Sequence, residues 1–328
     1  MPIKTRKQIE YLLKITDKIG LIEHCVGSKP DYKEGWCVDD NARAIQVGLI
    51  YGLDKKIIDI YFDFLKKAWI KGKLFNDLND DLTWKDNFLI NGEHCGRALL
   101  ALGEMIKNDY RSEEAKDLFN KIYRLIKENK TEYIRVVAQT ILGLEFYKTE
   151  EITFWAEKLV EKYKKNSDKN WRWFEDEISY DNGRIPMALL AAYKVTNNEK
   201  YLLIGIESLD FLTEQIFDKE NGFFSFPGYN GWFKRNGFKA KFGQQPIEAG
   251  GMAEVYLLAY KITKNKKYID LAKKSFNWYN GKNILNKKMV NKKTGGIFDG
   301  LNEDKSVNPN QGAESVLSYL IAAKELSE

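Results

Sequence analysis

The chain has 328 residues, of which 44% are hydrophobic and 30% are charged, and its formal net charge is +5. These proportions predict a globular protein with a sizeable core. They exclude disordered, collagen-like and membrane-spanning classes, because no apolar run is long enough to cross a bilayer. The positive charge is spread along the chain without a basic cluster, so we expect no nucleic-acid partner. The N-terminal segment lacks the apolar core and cleavage site of a signal peptide, which favours a cytoplasmic location.

Few residues of the types that bind metals are present. The three cysteines, Cys25, Cys37 and Cys95, are too far apart for a CxxC site, and their odd number fits a reducing compartment. The two histidines, His24 and His94, are too few for a His-rich metal centre. The acidic segment DLNDD at 77–81 lacks the downstream ligands of a calcium loop. We therefore expect neither a metal nor a cofactor.

Helical periodicity dominates the chain, and two kinds of helical segment alternate along it. One kind is amphipathic, with apolar residues three and four positions apart and charged residues between them. The other kind is rich in small and apolar residues on all sides, which is typical of buried helices. The amphipathic segments are 5–19, 56–71, 112–128, 150–164, 200–215 and 266–279. The apolar segments that follow each of them in turn are 40–51, 96–106, 132–147, 186–195, 245–262 and 311–324.

Internal repetition supports this pairing of helices. The segment LLAAYKVTNNEKYLLIGIESLDFL from Leu189 aligns with YLLAYKITKNKKYIDLAKKSFNWY from Tyr256 at an offset of 67 residues. Repeats of this size indicate stacked supersecondary units. Six helical hairpins that close on themselves predict an all-α fold, a single-domain (α/α)6 toroid over residues 1–328, with the apolar helices inside and the amphipathic helices outside.

Connection lengths indicate where function can lie. Five connections that lead from an amphipathic to an apolar helix are long, at 20–38, 72–92, 166–180, 217–242 and 280–310, whereas the reverse connections are short turns. In an alternating toroid, all connections of one direction emerge at the same end. Long loops on a rigid scaffold commonly carry binding and catalytic residues, so we expect one functional face at the mouth of the inner ring.

The long connections are rich in aromatic residues. Trp36, Trp84, Trp171, Trp173 and Trp232 all fall within them, close to Asp, Asn and Gln side chains. Flat apolar rings beside hydrogen-bonding groups suit a ligand with apolar faces and many hydroxyls, so we expect a carbohydrate, with the first four tryptophans stacking on sugar rings. The alternative is that these rings only pack the long loops onto the toroid.

One set of carboxylates recurs at the starts of the apolar helices. The pairs are Asp40 with Arg43, Glu93 with Arg97, Glu132 with Arg135, and Asp181 with Arg184. An arginine in the first turn opposes the helix dipole, so an acid three or four residues earlier would cap the helix and pair with the cation. Glu248 and Glu314 could likewise be capping residues. At these helix starts, our candidates for binding sugar hydroxyls are Arg43, Asp181, Asn182, Arg184, Gln245, Glu248 and Glu314.

A second set of carboxylates does not recur. Glu175 and Asp176 lie in WRWFEDE, and Asp299 lies in GGIFDG. Asp39 immediately precedes the capping acid Asp40. Loop carboxylates among aromatic rings have no capping role, and partial burial raises a pKa towards that of a general acid. Hydrolysis of a glycosidic bond needs one protonated and one ionised carboxyl group across the site. These five residues are therefore the catalytic candidates.

Several longer motifs carry a resemblance to a known family. GWCVDDNARA at 35–44, WFEDEISYDNGRIPMALL at 173–190, QQPIEAGG at 244–251, GGIFDG at 295–300 and NPNQGAESVL at 308–317 stand out. The chain resembles the six-hairpin glycosidase superfamily, which includes glucoamylase-like and trehalase-like enzymes. More specifically, it looks like a domain with this DDNAR motif that is often found beside or fused to sugar transferases.

The resemblance implies the (α/α)6 fold and an inverting reaction that draws an acid and a base from loops above the inner helices. It suggests Glu175 or Asp176 as the acid and Asp299 as the base. His94 departs from the pattern, because it stands where the related domain has an acid. It also implies an oligosaccharide or glycoconjugate substrate, and a glycosyltransferase as a possible partner.

Our preferred interpretation is a cytoplasmic, metal-independent glycoside hydrolase or phosphorylase-like enzyme. The second is a non-catalytic carbohydrate-binding module that serves a transferase. An inverting enzyme would place opposing carboxyl groups roughly 6 to 10 Å apart across the mouth, whereas the module would need no such pair. A sugar epimerase or isomerase usually needs histidine bases, and we expect neither histidine to lie on a buried helix face.

Overall fold

The protein is described from a computed structural model, which describes residues 3–85 and 92–328. Within these residues the chain forms twelve α-helices. They are α1 (Arg6–Lys14), α2 (Val38–Tyr51), α3 (Lys55–Ala68), α4 (Glu93–Lys107), α5 (Ser112–Glu128), α6 (Ile134–Leu144), α7 (Ile152–Asn166), α8 (Arg184–Thr196), α9 (Glu199–Ile216), α10 (Pro246–Thr263), α11 (Lys266–Phe276) and α12 (Ala313–Glu325). Each predicted helical segment corresponds to one of these helices. None of the described helices is long and apolar enough to span a membrane.

The strands in the described residues are short and lie in the connections between helices. They form two-stranded antiparallel sheets that pair β1 (Cys25–Val26) with β2 (Lys29–Pro30), β3 (Trp36–Cys37) with β6 (Asp77–Leu78), β4 (Trp69–Ile70) with β5 (Lys73–Leu74), β7 (Glu177–Ile178) with β10 (Phe233–Lys234), β8 (Phe217–Asp218) with β9 (Phe223–Phe224), and β11 (Gly300–Leu301) with β12 (Val307–Asn308). The β3–β6 and β7–β10 pairs each join two different connections. They therefore tie the long loops to one another.

The even-numbered helices form a closed inner ring. Each packs against the next, from α2 through α4, α6, α8 and α10 to α12, and α12 packs back against α2. The odd-numbered helices lie outside, where α1 packs on α12 and the others pack on the inner helices that precede them in the chain. The predicted (α/α)6 toroid is therefore confirmed, and the contact between α12 and α2 excludes an open solenoid.

Burial patterns explain which helices lie inside. All eleven residues of α6 are buried, so this helix has no face that needs to contact water. The outer helix α5 instead buries a single stripe in which Leu118, Ile122 and Ile126 recur at four-residue spacing. Glycines also bring the inner helices close together, because a Cβ atom on Gly103 of α4 would lie 2.6 Å from the backbone oxygen of Gly143 in α6. Small residues thus permit the tight inner ring.

Chain direction collects the connections at two ends of the ring. Connections into the N-termini of inner helices span 15–37, 69–92, 129–133, 167–183, 217–245 and 277–312. The return turns to the outer helices are as short as 197–198 and 264–265. The N-termini of the inner helices and the long loops consequently share one face.

Candidate functional site

A polar cavity of about 540 Å³ lies on this face, where α2, α4 and α12 begin. It is lined by four long connections and by these three helices. The lining side chains are Glu23, His24, Cys37, Asp39, Asp40, Arg43, Glu93, Arg97, Tyr180, Tyr229, Gln245, Asp299, Leu301, Asn302, Asn308, Asn310, Glu314 and Ser315. Six candidates from the sequence, Asp39, Asp40, Arg43, Gln245, Asp299 and Glu314, are among them.

Two arginines connect the acids of the cavity wall. Arg43 contacts Asp40 at 2.7 Å within α2 and also Glu314 at 2.8 Å in α12. The pair predicted within one helix is present, and the same guanidinium links two neighbouring helices of the ring. Burial raises the pKa of Asp40 to about 7, and Arg43 opposes that shift.

Arg97 of α4 lies among three carboxylates. It contacts Asp39 at 2.9 Å, Glu93 at 3.3 Å and Asp181 at 3.4 Å. Burial alone would raise the pKa of Asp181, but the adjacent arginines, chiefly Arg184 and Arg97, hold it below its ordinary value. Asp181 is therefore ionised beneath the cavity floor.

Four predicted binding residues lie in this layer beneath the cavity. Arg184 contacts Asp181 at 3.3 Å and forms a bidentate pair with Glu254 at 2.6 and 3.0 Å. Glu248 accepts hydrogen bonds from the backbone N–H of Asp181 and, at 3.2 Å, from the Asn182 side chain. All four predicted residues are buried, and none of them lines the cavity. Asp181 contacts Arg97, which does line it, so this layer supports the cavity wall from behind.

The predicted pair of Glu132 with Arg135 is absent, which corrects the sequence interpretation. Glu132 contacts Lys162 at 3.3 Å on the surface, with 76% of its side chain exposed. Arg135 instead reaches Glu175 at 3.3 Å and donates to the backbone oxygen of Tyr180 at 2.7 Å. Because Glu132 precedes the first turn of α6, its side chain is free to point towards solvent.

Asp299 lies at the cavity wall beside the start of α12. Its Oδ1 atom accepts hydrogen bonds from the backbone N–H of Gly312 at 2.8 Å and from the Ser315 hydroxyl at 2.6 Å. Burial raises the pKa of Asp299, and these two hydrogen bonds oppose the shift. Among the described residues, no lysine or arginine forms an ion pair with it. Its Oδ2 atom accepts no hydrogen bond from the described residues.

Glu93, which the sequence marked only as a capping acid, also lines the cavity. The Tyr180 hydroxyl donates to one of its oxygens, and Arg97 contacts the other at 3.3 Å. Burial raises the pKa of Glu93, and Arg97 and Tyr180 oppose the shift. The Tyr180 ring is held between the Arg135 guanidinium, 4.8 Å from its centroid, and the Trp232 ring at 6.0 Å.

The two histidines differ in position. His24 lines the cavity, and its Nε2 lies 3.4 Å from Glu23, whose hydrogen bond raises the pKa of His24 to about 9. His94 lies in the first turn of α4, contrary to the expectation that neither histidine belongs to an inner helix. Its Nε2 contacts the backbone oxygen of Leu74 at 2.9 Å, and it does not line the cavity. Glu23 and His24 could have been suspected from their place in the first long connection.

Two catalytic candidates lie outside the cavity. The side chain of Asp176 is 76% exposed and contacts Arg235 at 3.2 Å. Glu175 lines a neighbouring hollow of about 510 Å³ that also includes Glu93. Asp176 and Asp299 therefore do not line the same cavity. Within the 171–177 segment, Trp171 and Trp173 are buried, whereas Asp176 is exposed to solvent.

The four tryptophans predicted to stack on sugar rings do not line the cavity. Trp173 is fully buried and Trp171 is 5% exposed, and their Nε1 atoms donate to the backbone oxygens of Glu177 and Glu175. Trp36 is also buried, and Trp84 packs against Phe64 and Phe75. These contacts correspond to the alternative interpretation, in which the rings pack the loops. The rings that line the cavity are those of Tyr180 and Tyr229.

One group in the cavity wall has metal-ligand types close together. Oxygen atoms of Glu23 and Asp40 and the sulfur of Cys37 all lie within 4.8 Å of one another. Burial raises the pKa of the Cys37 thiol well above its ordinary value, and Asp40 is already paired with Arg43. A metal needs the deprotonated ligands, so this donor set gives no ground for assigning one.

Comparison with known proteins defines the class of fold. No family model and no curated protein matches the sequence. Among solved structures, a D-mannose isomerase superposes with a TM-score of 0.78 at 12% identity, covering 98% of this chain and 95% of that one. A cellobiose 2-epimerase from Bacillus thermoamylovorans gives 0.76 at 13% identity, with 98% and 97% covered.

A GH76 α-mannanase from Bacteroides thetaiotaomicron gives a TM-score of 0.65 at 12% identity, covering 98% of this chain and 94% of that one. These similarities extend over nearly the whole length of each protein. They show that this chain has the six-hairpin toroid fold that these carbohydrate-processing enzymes share.

Proposed function

We propose that the protein is a carbohydrate-active enzyme that hydrolyses a glycosidic bond of an oligosaccharide or glycoconjugate in the cavity. The observation that carries this proposal is that Asp299 and Glu93, two half-buried carboxyl groups with raised pKa values, line the same polar cavity. Such a pair can supply the acid and the base that glycosidic hydrolysis requires. The six-hairpin resemblance favours inversion of the anomeric centre, and it also suggests a glycosyltransferase partner.

We assign Asp299 as the general acid. Burial raises its pKa, which shifts the group towards the protonated form that an acid needs, and no lysine or arginine of the described residues is paired with it. Gly312 and Ser315 both bind Oδ1, which leaves Oδ2 to deliver a proton to the leaving oxygen. This reverses the role that the sequence resemblance suggested, because burial opposes the ionised form that a base needs.

We assign Glu93 as the base. Tyr180 and Arg97 each donate to one of its oxygens, which stabilises the carboxylate against the effect of burial. A carboxylate oxygen has more than one lone pair, so each can still accept a proton from water. Tyr180 is a positioning residue here, and Asn302, Asn308, Asn310 and Gln245 offer hydrogen-bonding groups to sugar hydroxyls.

A sugar epimerase or isomerase is the second candidate, and His24 is the observation that favours it. This side chain lines the same cavity, beside Glu23. Two of the fold neighbours carry the names of an isomerase and an epimerase. In that reaction a cavity carboxylate would take the proton from the carbon next to the sugar carbonyl, and His24, protonated beside Glu23, would return a proton to that carbon.

Product analysis tests these alternatives. The purified protein is incubated in D2O with glucose- and mannose-containing oligosaccharides, and the products are followed by NMR. Hydrolysis releases a shorter sugar, whereas isomerisation or epimerisation incorporates deuterium at the carbon next to the carbonyl. Binding of the sugars without turnover would favour the non-catalytic module.

Substitution of the assigned acid provides the first prediction. We expect Asp299→Asn to lower kcat by about 10²- to 10⁴-fold, which is the usual contribution of general acid catalysis. Asp176→Asn should leave kcat near the wild-type value, because this side chain is exposed outside the cavity. Circular dichroism checks that both variants fold. A wild-type rate in Asp299→Asn, or a large loss in Asp176→Asn, would contradict our assignment.

A further inference from the structure

Acidic side chains outnumber basic side chains in the cavity. Six carboxyl groups line it, and they face two arginines and one histidine. The carboxyl groups are Glu23, Asp39, Asp40, Glu93, Asp299 and Glu314. The whole chain is positively charged, so this local excess of acids is a property of the cavity and not of the overall composition.

Both arginines of the cavity are already occupied by carboxylates. Arg43 contacts two acids at 2.7 and 2.8 Å, and Arg97 contacts three at 2.9 to 3.4 Å. A phosphate or carboxylate ligand usually binds an arginine that can offer it two parallel N–H donors. Here such a ligand would have to displace buried ion pairs, so the arginines do not form an anion site.

The helix N-termini are also blocked. The start of a helix is a common binding site for anions, because its free N–H groups and dipole favour negative charge. At this cavity the first turn of α2 carries Asp39 and Asp40, that of α4 carries Glu93, and that of α12 carries Glu314. These side chains place negative charge at each of the three helix ends, where an anionic ligand would meet repulsion.

The cavity wall already stabilises one cation. The hydrogen bond from Glu23 raises the pKa of His24 to about 9, and the charges of Asp40 and Asp299 act in the same direction. His24 is therefore protonated at neutral pH. Its protonation agrees with a wall at which acidic side chains favour positive charge.

We propose that the cavity selects its sugar by charge: it binds neutral sugars, binds sugars with a protonated amino group more tightly, and rejects sugars that carry a phosphate or a carboxylate. This inference rests on the proposed function, since it defines the substrate class of the same site. It also predicts that water, and not inorganic phosphate, accepts the glycosyl group. Phosphate would meet the same repulsion as an anionic sugar.

Calorimetric titration of the full chain with matched sugars tests the proposal. The probes are glucose and mannose, with their 2-amino-2-deoxy, uronic acid and 6-phosphate derivatives. At low salt we expect the amino sugar to bind about tenfold more tightly than its neutral parent, and the anionic derivatives about tenfold more weakly or not at all. These differences in affinity should shrink in 0.5 M salt. The Debye length is then only ~3–5 Å, so salt screens charge interactions at a solvent-open site.

A variant with a matched control locates the effect. Glu314→Gln removes one negative charge from the cavity without removing the hydrogen-bond partner of His24, and it should reduce the preference for the amino sugar severalfold. Asp117→Asn removes the same charge from the exposed surface of α5, where Asp117 contacts Lys121, and should leave the preference unchanged. Equal effects of the two variants would overturn the proposal.

The outcomes separate the two proposals. Tighter binding of an anionic derivative than of its neutral parent, or competition by inorganic phosphate, would overturn the charge selection and leave the sugar site standing. Absence of binding by every sugar in the panel would count against the proposed function itself.

Discussion

The chemistry of a carboxyl group in this protein is decided by burial and by its partners. Asp176 and Asp299 are the same residue type in two long loops of one face, yet the first is exposed beside Arg235 and the second is half-buried beside Ser315. Burial disfavours the ionised form and so raises a carboxyl pKa. Asp299 therefore has the properties of an acid, whereas Asp176 has those of an ordinary surface residue.

Glu248 allows a test of this reasoning through stability. Burial raises the pKa of Glu248 from 4.5 to about 8. Between these two values the folded chain keeps a proton that the unfolded chain has lost, so increasing pH across this window favours unfolding. Each unit of the pKa difference corresponds to roughly 1.4 kcal/mol. Stability from this group is therefore present below pH 4.5 and is lost as the pH rises towards 8.

We expect Glu248→Gln to flatten this pH dependence, since glutamine resembles the neutral acid and cannot ionise. Thermal unfolding at pH 6 and pH 9 measures it: the difference in Tm between variant and wild type should be more positive at pH 9. Glu113→Gln, on the exposed surface of α5, is the control and should shift both values equally. A wild-type pH profile in Glu248→Gln would show that this carboxyl group is not protonated in the folded chain.

At the scale of elements, the inner ring depends on close contacts between helices. Gly103 and Gly143 let α4 and α6 approach so closely that a Cβ on either residue would lie within 2.7 Å of a backbone oxygen of the other helix. Backbone atoms cannot move aside as a flexible side chain can. The sequence pattern of small residues in the apolar helices is thus a packing requirement.

Replacing Gly103 by alanine should therefore separate the two helices. We expect Gly103→Ala to lower stability by about 1–3 kcal/mol, as overpacking usually does, although alanine favours the helix itself. Chemical denaturation measures the change. Gly205→Ala in α9 is the control: its new Cβ would meet the side chain of Leu190 at 3.2 Å, which can shift, so little destabilisation is expected. Equal losses in the two variants would argue against backbone crowding.

At the scale of the whole molecule, ring closure brings the two ends of the described chain together. The backbone N–H of Ile3 donates to the Ser327 hydroxyl at 3.3 Å, and α1 packs on α12. An open array of helical hairpins would hold its ends far apart. The closed ring also fixes α2, α4 and α12 in one wall, which is what assembles the cavity.

A circular permutant tests this closure. Joining the ends with a short Gly/Ser linker and opening the chain at the turn between Asn197 and Asn198 should preserve the helical signal and a cooperative thermal transition, because no packed contact is removed. Opening the chain in the middle of α4 is the control and should abolish that transition. If the first permutant were as unfolded as the second, the result would contradict the claim that ring closure brings the two chain ends together.

The sequence by itself determined the helices, their alternation and the closed ring. Periodicity of apolar residues identifies a helix and its buried face, and connection lengths identify the end where long loops gather, because both properties are local along the chain. Asp39, Asp40 and Arg43 could be placed at the cavity because they lie in the first turns of an inner helix, and Asp299 could be placed there because it lies in a long connection.

Only the tertiary structure decided which loop residues face the cavity. Glu93 and Glu132 each precede an arginine by three or four residues in the sequence, yet Glu93 lines the cavity beside Tyr180, whereas Glu132 points to solvent beside Lys162. Trp171 and Trp173 likewise turn into the core. Irregular loops have no repeating geometry, so the direction of a loop side chain depends on packing against segments that are distant in the sequence.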